Sequence, residues 1–324
     1  GSEGSEGSEG SEGSRSARAS GARTSHYNKQ RRYTHLMNHA SKTTTLGILA
    51  SILAAFFFTG MDVGAKAVGY LGTGELTFVR GIVGLAFLPF LAWRTREPVF
   101  SGKDFWILQL RGFMGGLGIL LFFYCLKGVT LGDASILAQL AAFFMCLLSP
   151  LFLKTTPSGN IRPWLAMITV GAALVLQVWN FSSFNGYALI GMVSAFCSAC
   201  AYTCIGKLTE RGGHSGIELV FYFQFYSMLG GLFLMVSDTA TMPQGEEWFW
   251  LLVLSVSALM AQLSFTWACT HIHPVTVNFV MYTGILFHVL LGWLLWGEAL
   301  SLFSWIGGAL IVLGSGMLLK SSEK

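Results

Sequence analysis

Ionisable side chains lie inside long apolar stretches of this 324-residue chain. Asp62 and Lys66 are four residues apart, so on a helix they share one face and can form an ion pair. Glu75 and Arg80 are five residues apart, which separates them by about 140° around a helix. Arg80 therefore needs another partner, and Asp62 lies at a matching depth. Charges in hydrocarbon are costly, so this cluster is either a structural ion network or a site for a charged molecule.

The deeper polar groups are uncharged. Ser135 and Gln139 are one helical turn apart, and so are Asn278 and Tyr282. Such groups either hydrogen-bond between helices or contact a bound molecule, and both interpretations stay open. The candidate substrate-binding residues are Gln139, Tyr282, Asn278, Gln262, Tyr202, Ser135, Tyr124 and Trp267. A second candidate set, for an outer gate or a head-group site, comprises Arg80, Glu75, Asp62, Lys66 and Glu218.

An arginine, a histidine and a set of glycines within the apolar stretches give three further predictions. Arg111 begins an apolar stretch, and we expect it to anchor that helix at the cytoplasmic interface. His288 is the one histidine within an apolar stretch that could titrate during transport. Glycines at 112, 115, 116, 118, 307, 308 and 314 predict close approach between helices.

The composition is that of a membrane protein that crosses the bilayer many times. The chain is 53% hydrophobic and 11% charged, whereas a soluble domain carries about 25% charged residues. The net charge of +4 is not organised into a basic face, which argues against nucleic-acid binding. The six cysteines lie in apolar stretches and predict no disulfide framework.

The first 36 residues differ from the rest. They begin with a Gly-Ser-Glu repeat and continue rich in Arg, Ser and His without apolar periodicity. We expect 1–36 to be a disordered leader or a linker outside the fold, which would begin at Met37. There is no hydrophobic core typical of a signal peptide.

The remainder divides into ten apolar segments, each interpreted as a membrane-spanning helix. Their ranges are 46–66, 75–93, 105–127, 133–153, 163–179, 186–207, 216–237, 248–270, 275–296 and 303–319. Lys and Arg concentrate in the connecting segments that would lie on one side of the membrane. Connecting segments on the cytoplasmic side carry an excess of Lys and Arg, so this distribution predicts that both termini are cytoplasmic.

The chain contains an internal repeat. An offset of 143 residues aligns Glu75 with Glu218, Tyr124 with Trp267 and Gln139 with Tyr282. The predicted repeats, 37–180 and 181–324, hold five spans each. Because five is odd, the second repeat would enter the membrane inverted relative to the first. The predicted fold class is therefore an all-α polytopic membrane protein, with ten transmembrane helices in two inverted five-helix repeats. Inverted repeats are typical of secondary transporters, which bind substrate near the midplane between the halves.

Several motifs occur in a recognisable order. The first half reads FTGMDVGAK at 58–66 and ELTFVRG at 75–81, and the second reads LWGEAL at 295–300 and IGGALIVLG at 306–314. In this order the chain resembles the EamA branch of the drug/metabolite transporter superfamily, in particular the subgroup that includes S-adenosylmethionine and riboflavin carriers. One departure is that Lys154-Thr155 stands where the second half has Gly297-Glu298.

These features predict a secondary transporter of the inner (plasma) membrane that moves a small organic metabolite by alternating access. The metabolite would be amino-acid-like, S-adenosylmethionine-like or flavin-like. An exporter of toxic or surplus metabolites is the main alternative, and a lipid-modifying membrane enzyme is a further one. We expect no enzyme activity, no cofactor and no metal site, since no phosphate-binding loop or metal-ligand cluster occurs. The expected partners are the substrate and the lipid bilayer, but not nucleic acid, with the protein as a monomer or homodimer.

Overall fold

A computed structural model describes residues 43–152, 162–176, 185–237 and 243–322. Within these ranges all regular secondary structure is α-helical. Residues Gly47–Lys324 form one compact unit, to which the packing described below belongs. The expected leader 1–36 and the departure at Lys154-Thr155 lie outside the described residues.

Twelve helices follow one another along the described residues. They are α1 (Thr43–Ala67), α2 (Thr73–Thr95), α3 (Phe105–Leu126), α4 (Leu131–Ala138), α5 (Leu140–Phe152), α6 (Arg162–Leu176), α7 (Gly186–Arg211), α8 (Gly216–Ser237), α9 (Glu247–His271), α10 (Pro274–Val280), α11 (Thr283–Trp296) and α12 (Leu302–Ser322). Eight segments of the described chain are long and apolar enough to cross a membrane. Shorter apolar stretches occupy Ala166–Val175 in α6 and Leu302–Gly314 in α12. The protein is therefore a multi-pass helical membrane protein.

Two of the predicted spans are interrupted near their middles. The fourth consists of α4 and α5, which meet at Gln139, and the ninth consists of α10 and α11, which are separated by Met281 and Tyr282. At the first interruption the Gln139 N–H lies 3.3 Å from the Ser135 carbonyl and 3.2 Å from that of Ile136. Gln139 and Tyr282 are the pair that the 143-residue offset aligns, so the two interruptions fall at positions that this offset matches.

Glycines allow the helices to approach closely, as predicted for Gly112, Gly116 and Gly307. An added Cβ at Gly112 of α3 would lie 2.6 Å from the Tyr222 carbonyl oxygen of α8. A Cβ at Gly307 of α12 would lie 2.5 Å from the Gly171 carbonyl oxygen of α6. Any side chain at these crossings would push the backbones apart.

The most extensive helix contacts join the two halves of the chain. Helix α2 packs on α8, α3 on α7 and α8, and α6 on α12, while α4 contacts α11. Helix α1 meets α9 where Gly64 lies against Leu254. The predicted repeats would therefore contact each other through several helices rather than lie apart as separate bundles.

Polar contacts join helix ends at both ends of the bundle. At one end Asp104, which precedes α3, forms an ion pair with Arg211 at the end of α7 and lies 3.2 Å from a ring nitrogen of His214 in the loop that follows. Hydrogen bonding from His214, with Arg211 beside it, holds the pKa of the Asp104 carboxyl below its usual value. At the other end Lys66 of α1 forms an ion pair with Glu298, which follows α11.

Candidate functional site

A cavity of about 120 Å³ lies inside the bundle. Its walls come from α1, α3 and α4 of the first half and from α7 to α11 of the second. The polar residues that line it are Asp62, Arg111, Ser135, Gln139, Ser194, Ser198, Tyr202, Gln262, Asn278 and His288. Aromatic and aliphatic side chains complete the walls, including Phe58, Phe122, Phe223 and Phe265. An apolar pocket with a few convergent polar groups is the usual form of a small-molecule site.

An acid–histidine pair joins α1 to α11 at this cavity. His288 Nε2 lies 2.7 Å from Asp62 Oδ2, and both side chains are buried. The other ring nitrogen, Nδ1, lies 2.7 Å from the Gly284 carbonyl oxygen. A carbonyl oxygen only accepts, so Nδ1 donates to Gly284 in the tautomers that carry a proton on this nitrogen. The imidazole ring thus bridges the Asp62 carboxyl of α1 and the Gly284 carbonyl of α11.

The close contacts of these charges differ from those that spacing allowed. Spacing permitted Asp62 to pair with Lys66 or with Arg80, but among the described residues neither pair forms within 4.0 Å. Asp62 pairs with His288, and Lys66 pairs with Glu298 and donates to the Val129 carbonyl at 3.1 Å. A shared helix face permits a pair, but here the neighbouring helices supply better-placed partners. The role suggested for His288, that it could titrate during transport, stays a prediction.

Two buried arginines flank one aromatic ring beside the cavity. The guanidinium carbon of Arg80 lies 4.6 Å from the centroid of Phe223, and that of Arg111 lies 4.8 Å from the same centroid. Both arginines are 0% exposed. The prediction that Arg111 is an interfacial anchor is therefore wrong, because the side chain turns inward and lines the cavity. The signal that could have found it is Gly115, one turn later on α3.

Gln139 and Tyr282 connect the two interrupted helices reciprocally. Gln139 Nε2 donates to the Met281 carbonyl at 3.2 Å, and the Tyr282 hydroxyl donates to the Gln139 carbonyl at 3.5 Å. Each residue thus reaches from its own interruption to the backbone of the other. Gln139 also lines the cavity, whereas Tyr282 is not among the lining residues.

The remaining amide candidates also lie at the cavity and are hydrogen-bonded along their own helices. Asn278 Nδ2 donates to the Pro274 carbonyl at 2.9 Å, and Gln262 Nε2 donates to Thr266 Oγ1 at 3.2 Å. Their carbonyl oxygens are acceptors that a bound molecule can use. Ser135 and Tyr202 complete the candidates that the structure brings together here.

Other candidates lie away from the cavity. Tyr124 stacks on Tyr187 and Trp267 stacks on His271, and both candidates are about two-fifths exposed, at 41% and 39%. These exposed aromatic side chains near helix ends fit a membrane-interface belt.

The two glutamates lie at helix starts. Glu75 Oε2 accepts from the Gly72 N–H at 2.6 Å, and Glu218 Oε1 accepts from the Ser101 N–H at 2.7 Å. Carboxylates in the first turn of a helix are stabilised by its unpaired N–H groups. Of the head-group candidates, Asp62 alone lines the cavity, while Arg80 contacts the ring of Phe223, which is itself a lining residue.

An all-helical bundle that crosses the membrane and encloses a cavity with convergent polar groups between its halves has the architecture of a membrane carrier. The family model described as "EamA-like transporter family" matches residues 45–177 and again 185–320. The chain therefore belongs to the EamA-like transporter family, within the drug/metabolite transporter superfamily, as the sequence motifs predicted.

Characterised relatives are named as transporters. A pseudopaline exporter, CntI, of Pseudomonas aeruginosa is 34% identical over 267 residues, covering 82% of this chain and 93% of the exporter. A riboflavin transporter of Brucella anthropi is 25% identical over 254 residues, covering 76% of this chain and 88% of that protein. One protein of known crystal structure shares the fold. Its chain aligns with this one at a TM-score of 0.63 and 16% identity, and the alignment covers 88% of this chain and 99% of that protein.

Proposed function

We propose that this protein is a secondary transporter that carries a small organic metabolite across the inner membrane by alternating access. The observation that carries the proposal is the central cavity, where Asp62, Arg111, Gln139, Gln262 and Asn278 converge from both halves of the chain. Polar groups from two halves that meet inside a membrane protein suit a substrate that is held between them.

The proposed architecture is ten transmembrane helices in two inverted repeats, 37–180 and 181–324. The two separate family matches support this division. Helices α2 and α8, which are equivalent under the 143-residue offset, pack on each other, and so do α6 and α12. The interruptions at Gln139 and Tyr282 also fall at equivalent positions. Interrupted helices near the bilayer midplane are a common feature of transporter binding sites. The Lys and Arg distribution supports a topology with both termini in the cytoplasm.

Alternating access would require the polar contacts at each end of the bundle to break in turn. The Lys66–Glu298 pair would separate when the cavity opens to the outside. The contacts of Asp104 with Arg211 and His214 would separate when it opens to the cytoplasm. Small-residue crossings such as Gly112 against α8 allow helices to shift while they stay in contact.

Export is a second candidate for the direction of transport. The relative that is 34% identical is named as an exporter of pseudopaline. An exporter of surplus or toxic metabolites would use the same cavity and the same contacts. The direction is tested by comparing inside-out membrane vesicles with right-side-out vesicles.

The test of the proposed function is substrate flux in vesicles that contain the purified full chain. Amino acids, S-adenosylmethionine and riboflavin are offered individually, and both uptake and counterflow are measured. Gln262→Ala, at the cavity wall, should reduce the flux of the transported compound at least about tenfold. Gln244→Ala, at an exposed loop position, is the matched control and should not change it. Equal flux in both variants would show that the substrate does not pass through the cavity. Absence of flux for every compound would contradict the carrier proposal.

A further inference from the structure

We propose that Arg111, with Arg80 behind it, binds a carboxylate of the substrate in the central cavity. We further propose that Asp62 accepts a hydrogen bond from an amine of the same molecule. The substrate class is then a carboxylate that also carries an amino group. This inference rests on the proposed transport function, because it treats the cavity as the substrate site.

The burial of the two arginines carries the first step. Arg80 and Arg111 are both 0% exposed. Among the described residues, the ion pairs within 4.0 Å involve other side chains, so neither guanidinium has a carboxylate partner there. Asp62 interacts electrostatically with Arg80 from beyond this distance, whereas no carboxylate among the described residues acts on Arg111. A buried charge without a counter-charge is strongly unfavourable. An anionic ligand would supply the missing partner of Arg111.

The unpartnered hydrogen-bond donors of the two arginines support the same conclusion. Within the described part of the chain, Nε, Nη1 and Nη2 of Arg111 have no hydrogen-bond partner. Arg80 donates from Nη1 to Ser227 Oγ at 3.2 Å, while its Nε and Nη2 have no partner among the described residues. The Phe223 ring stabilises both charges through its π face but accepts no conventional N–H hydrogen bond. The guanidinium fork of Arg111 thus keeps the donors that match the two oxygens of a carboxylate.

Gly115 makes room for this arrangement. It lies one helical turn after Arg111 and also lines the cavity. A Cβ added at Gly115 would lie 2.5 Å from Arg111 Nη1 and 2.4 Å from Phe223 Cδ2. The guanidinium therefore lies against the bare backbone of α3 at the cavity wall, a position that any other residue at 115 would obstruct.

A second polar group defines the rest of the ligand. Asp62 lines the same cavity, and its Oδ2 atom contacts His288. Its Oδ1 atom is buried without a hydrogen-bond partner in the described residues. A doubly charged phosphate would match Arg111 but would meet an acid in the same cavity. A molecule with both a carboxylate and an amine can satisfy Arg111 and Asp62 together.

The experiment measures ligand-induced thermal stabilisation of the purified full chain. The probes are L-amino acids with apolar, aromatic and acidic side chains, each beside its primary amide and its decarboxylated amine, and inorganic phosphate as a separate arm. At least one amino acid should raise the melting temperature in a saturable manner. Its amide and amine should bind at least about thirtyfold more weakly.

Variants locate the effect. Arg111→Gln should abolish the stabilisation by the amino acid, and Arg111→Lys should retain part of it because the charge remains. Without ligand, Arg111→Gln should melt at the same or a higher temperature, because it removes an uncompensated buried charge. Gly115→Ala, which displaces the guanidinium, should weaken binding as well. Arg94→Gln, at an exposed position at the end of α2, is the control and should bind as the unaltered chain does.

Several results would overturn the inference. They are equal binding of the amide, preference for inorganic phosphate, stabilisation by no amino acid, and binding that Arg111→Gln leaves unchanged. A loss of thermal stability in ligand-free Arg111→Gln, with ligand binding intact, would assign Arg111 a structural role instead. Flux of neutral compounds that is independent of Arg111 would leave the transporter proposal standing while this inference fails. Binding of an amino acid that depends on Arg111, without flux of any compound, would support this inference while the transporter proposal fails.

Discussion

At the scale of the residue, Asp62 and His288 show how a pair from distant parts of the chain stabilises buried polar groups. His288 Nδ1 lies 2.7 Å from the Gly284 carbonyl oxygen, and Nε2 lies 2.7 Å from Asp62 Oδ2. Thr59 Oγ1 lies 3.0 Å from Nδ1 and donates to the Ala55 carbonyl at 2.9 Å. The ring is thereby fixed in orientation from both sides.

Asp62→Ala should lower the free energy of unfolding by about 1–3 kcal/mol, because it leaves a buried ring nitrogen without its partner. Asp62→Asn keeps an oxygen that can accept from Nε2 and adds an N–H that can donate to it, so it should cost less than half as much. The measurement is the thermal stability of both variants in the same detergent. If both variants lose the same stability, the hydrogen bond to His288 does not explain the loss. Another property of the carboxyl group would then explain it.

At the scale of the element, the interrupted helices are joined by Gln139 and Tyr282. An interruption inside a membrane exposes backbone groups that need partners other than water. Here the side chain at each interruption contacts a carbonyl at the other. The two halves are thus linked at the level of the cavity by residues that the 143-residue offset aligns.

Tyr282→Phe and Gln139→Leu should each lower the free energy of unfolding by about 0.5–1.5 kcal/mol, the ordinary net contribution of one hydrogen bond. Because both bonds join the same two interruptions, the double variant should depart from additivity. Tyr70→Phe, at an exposed loop position, is the control for the hydroxyl and should have no effect. Strict additivity would mean that the two bonds act independently.

Helix crossings give a second prediction at this scale. Gly112→Ala should destabilise the protein by about 1–3 kcal/mol, because the added methyl group would lie 2.6 Å from the Tyr222 carbonyl oxygen. Gly186→Ala, at the start of α7 with no atom within 4 Å of the added methyl group, should be neutral or stabilising. Melting temperatures of the two variants test this directly. Equal tolerance at both positions would show that the α3–α8 crossing is not tightly packed.

At the scale of the whole molecule, the two ends of the bundle have separate sets of contacts. Lys66 and Glu298 join α1 to the segment after α11, and Glu298 Oε2 also accepts from the Leu131 N–H at 2.9 Å. This glutamate therefore connects the start of α4 to both α1 and the end of α11. At the opposite end, Asp104 and Glu218 connect the segment before α3 with the end of α7 and the start of α8.

Lys66→Met should favour opening at the end that contains Glu298, because it removes one side of that contact. The readout is Ser135→Cys, which places a thiol at the buried cavity wall. A membrane-impermeant maleimide applied from outside should label this thiol several-fold faster when Lys66→Met is present. Lys103→Met, at the opposite end, is the control, and the chain with its six native cysteines gives the background. Faster labelling from the cytoplasmic side only would contradict the proposed orientation.

Local sequence was sufficient to predict the helices and the family. Hydrophobic runs ended by charges and glycines predicted segments that lie within a few residues of α1, α2, α3 and α7. A helix satisfies its backbone hydrogen bonds within its own segment, so its existence depends mainly on nearby residues. The apolar crossings at Gly112 and Gly307 could also be predicted, since small residues are what close approach requires.

The partners of the buried charges were decided only by the tertiary structure. Spacing along α1 allowed Asp62 to meet Lys66, yet His288, more than two hundred residues away in sequence, lies closer to it. Arg111 looked like an anchor because it begins an apolar segment, but the rotation of α3 and the absence of a side chain at Gly115 turn it into the cavity. Hydrophobic periodicity determines which segments are helical, whereas packing against other helices determines their rotation. That rotation decides which polar atoms meet inside the membrane and which ones remain for a ligand.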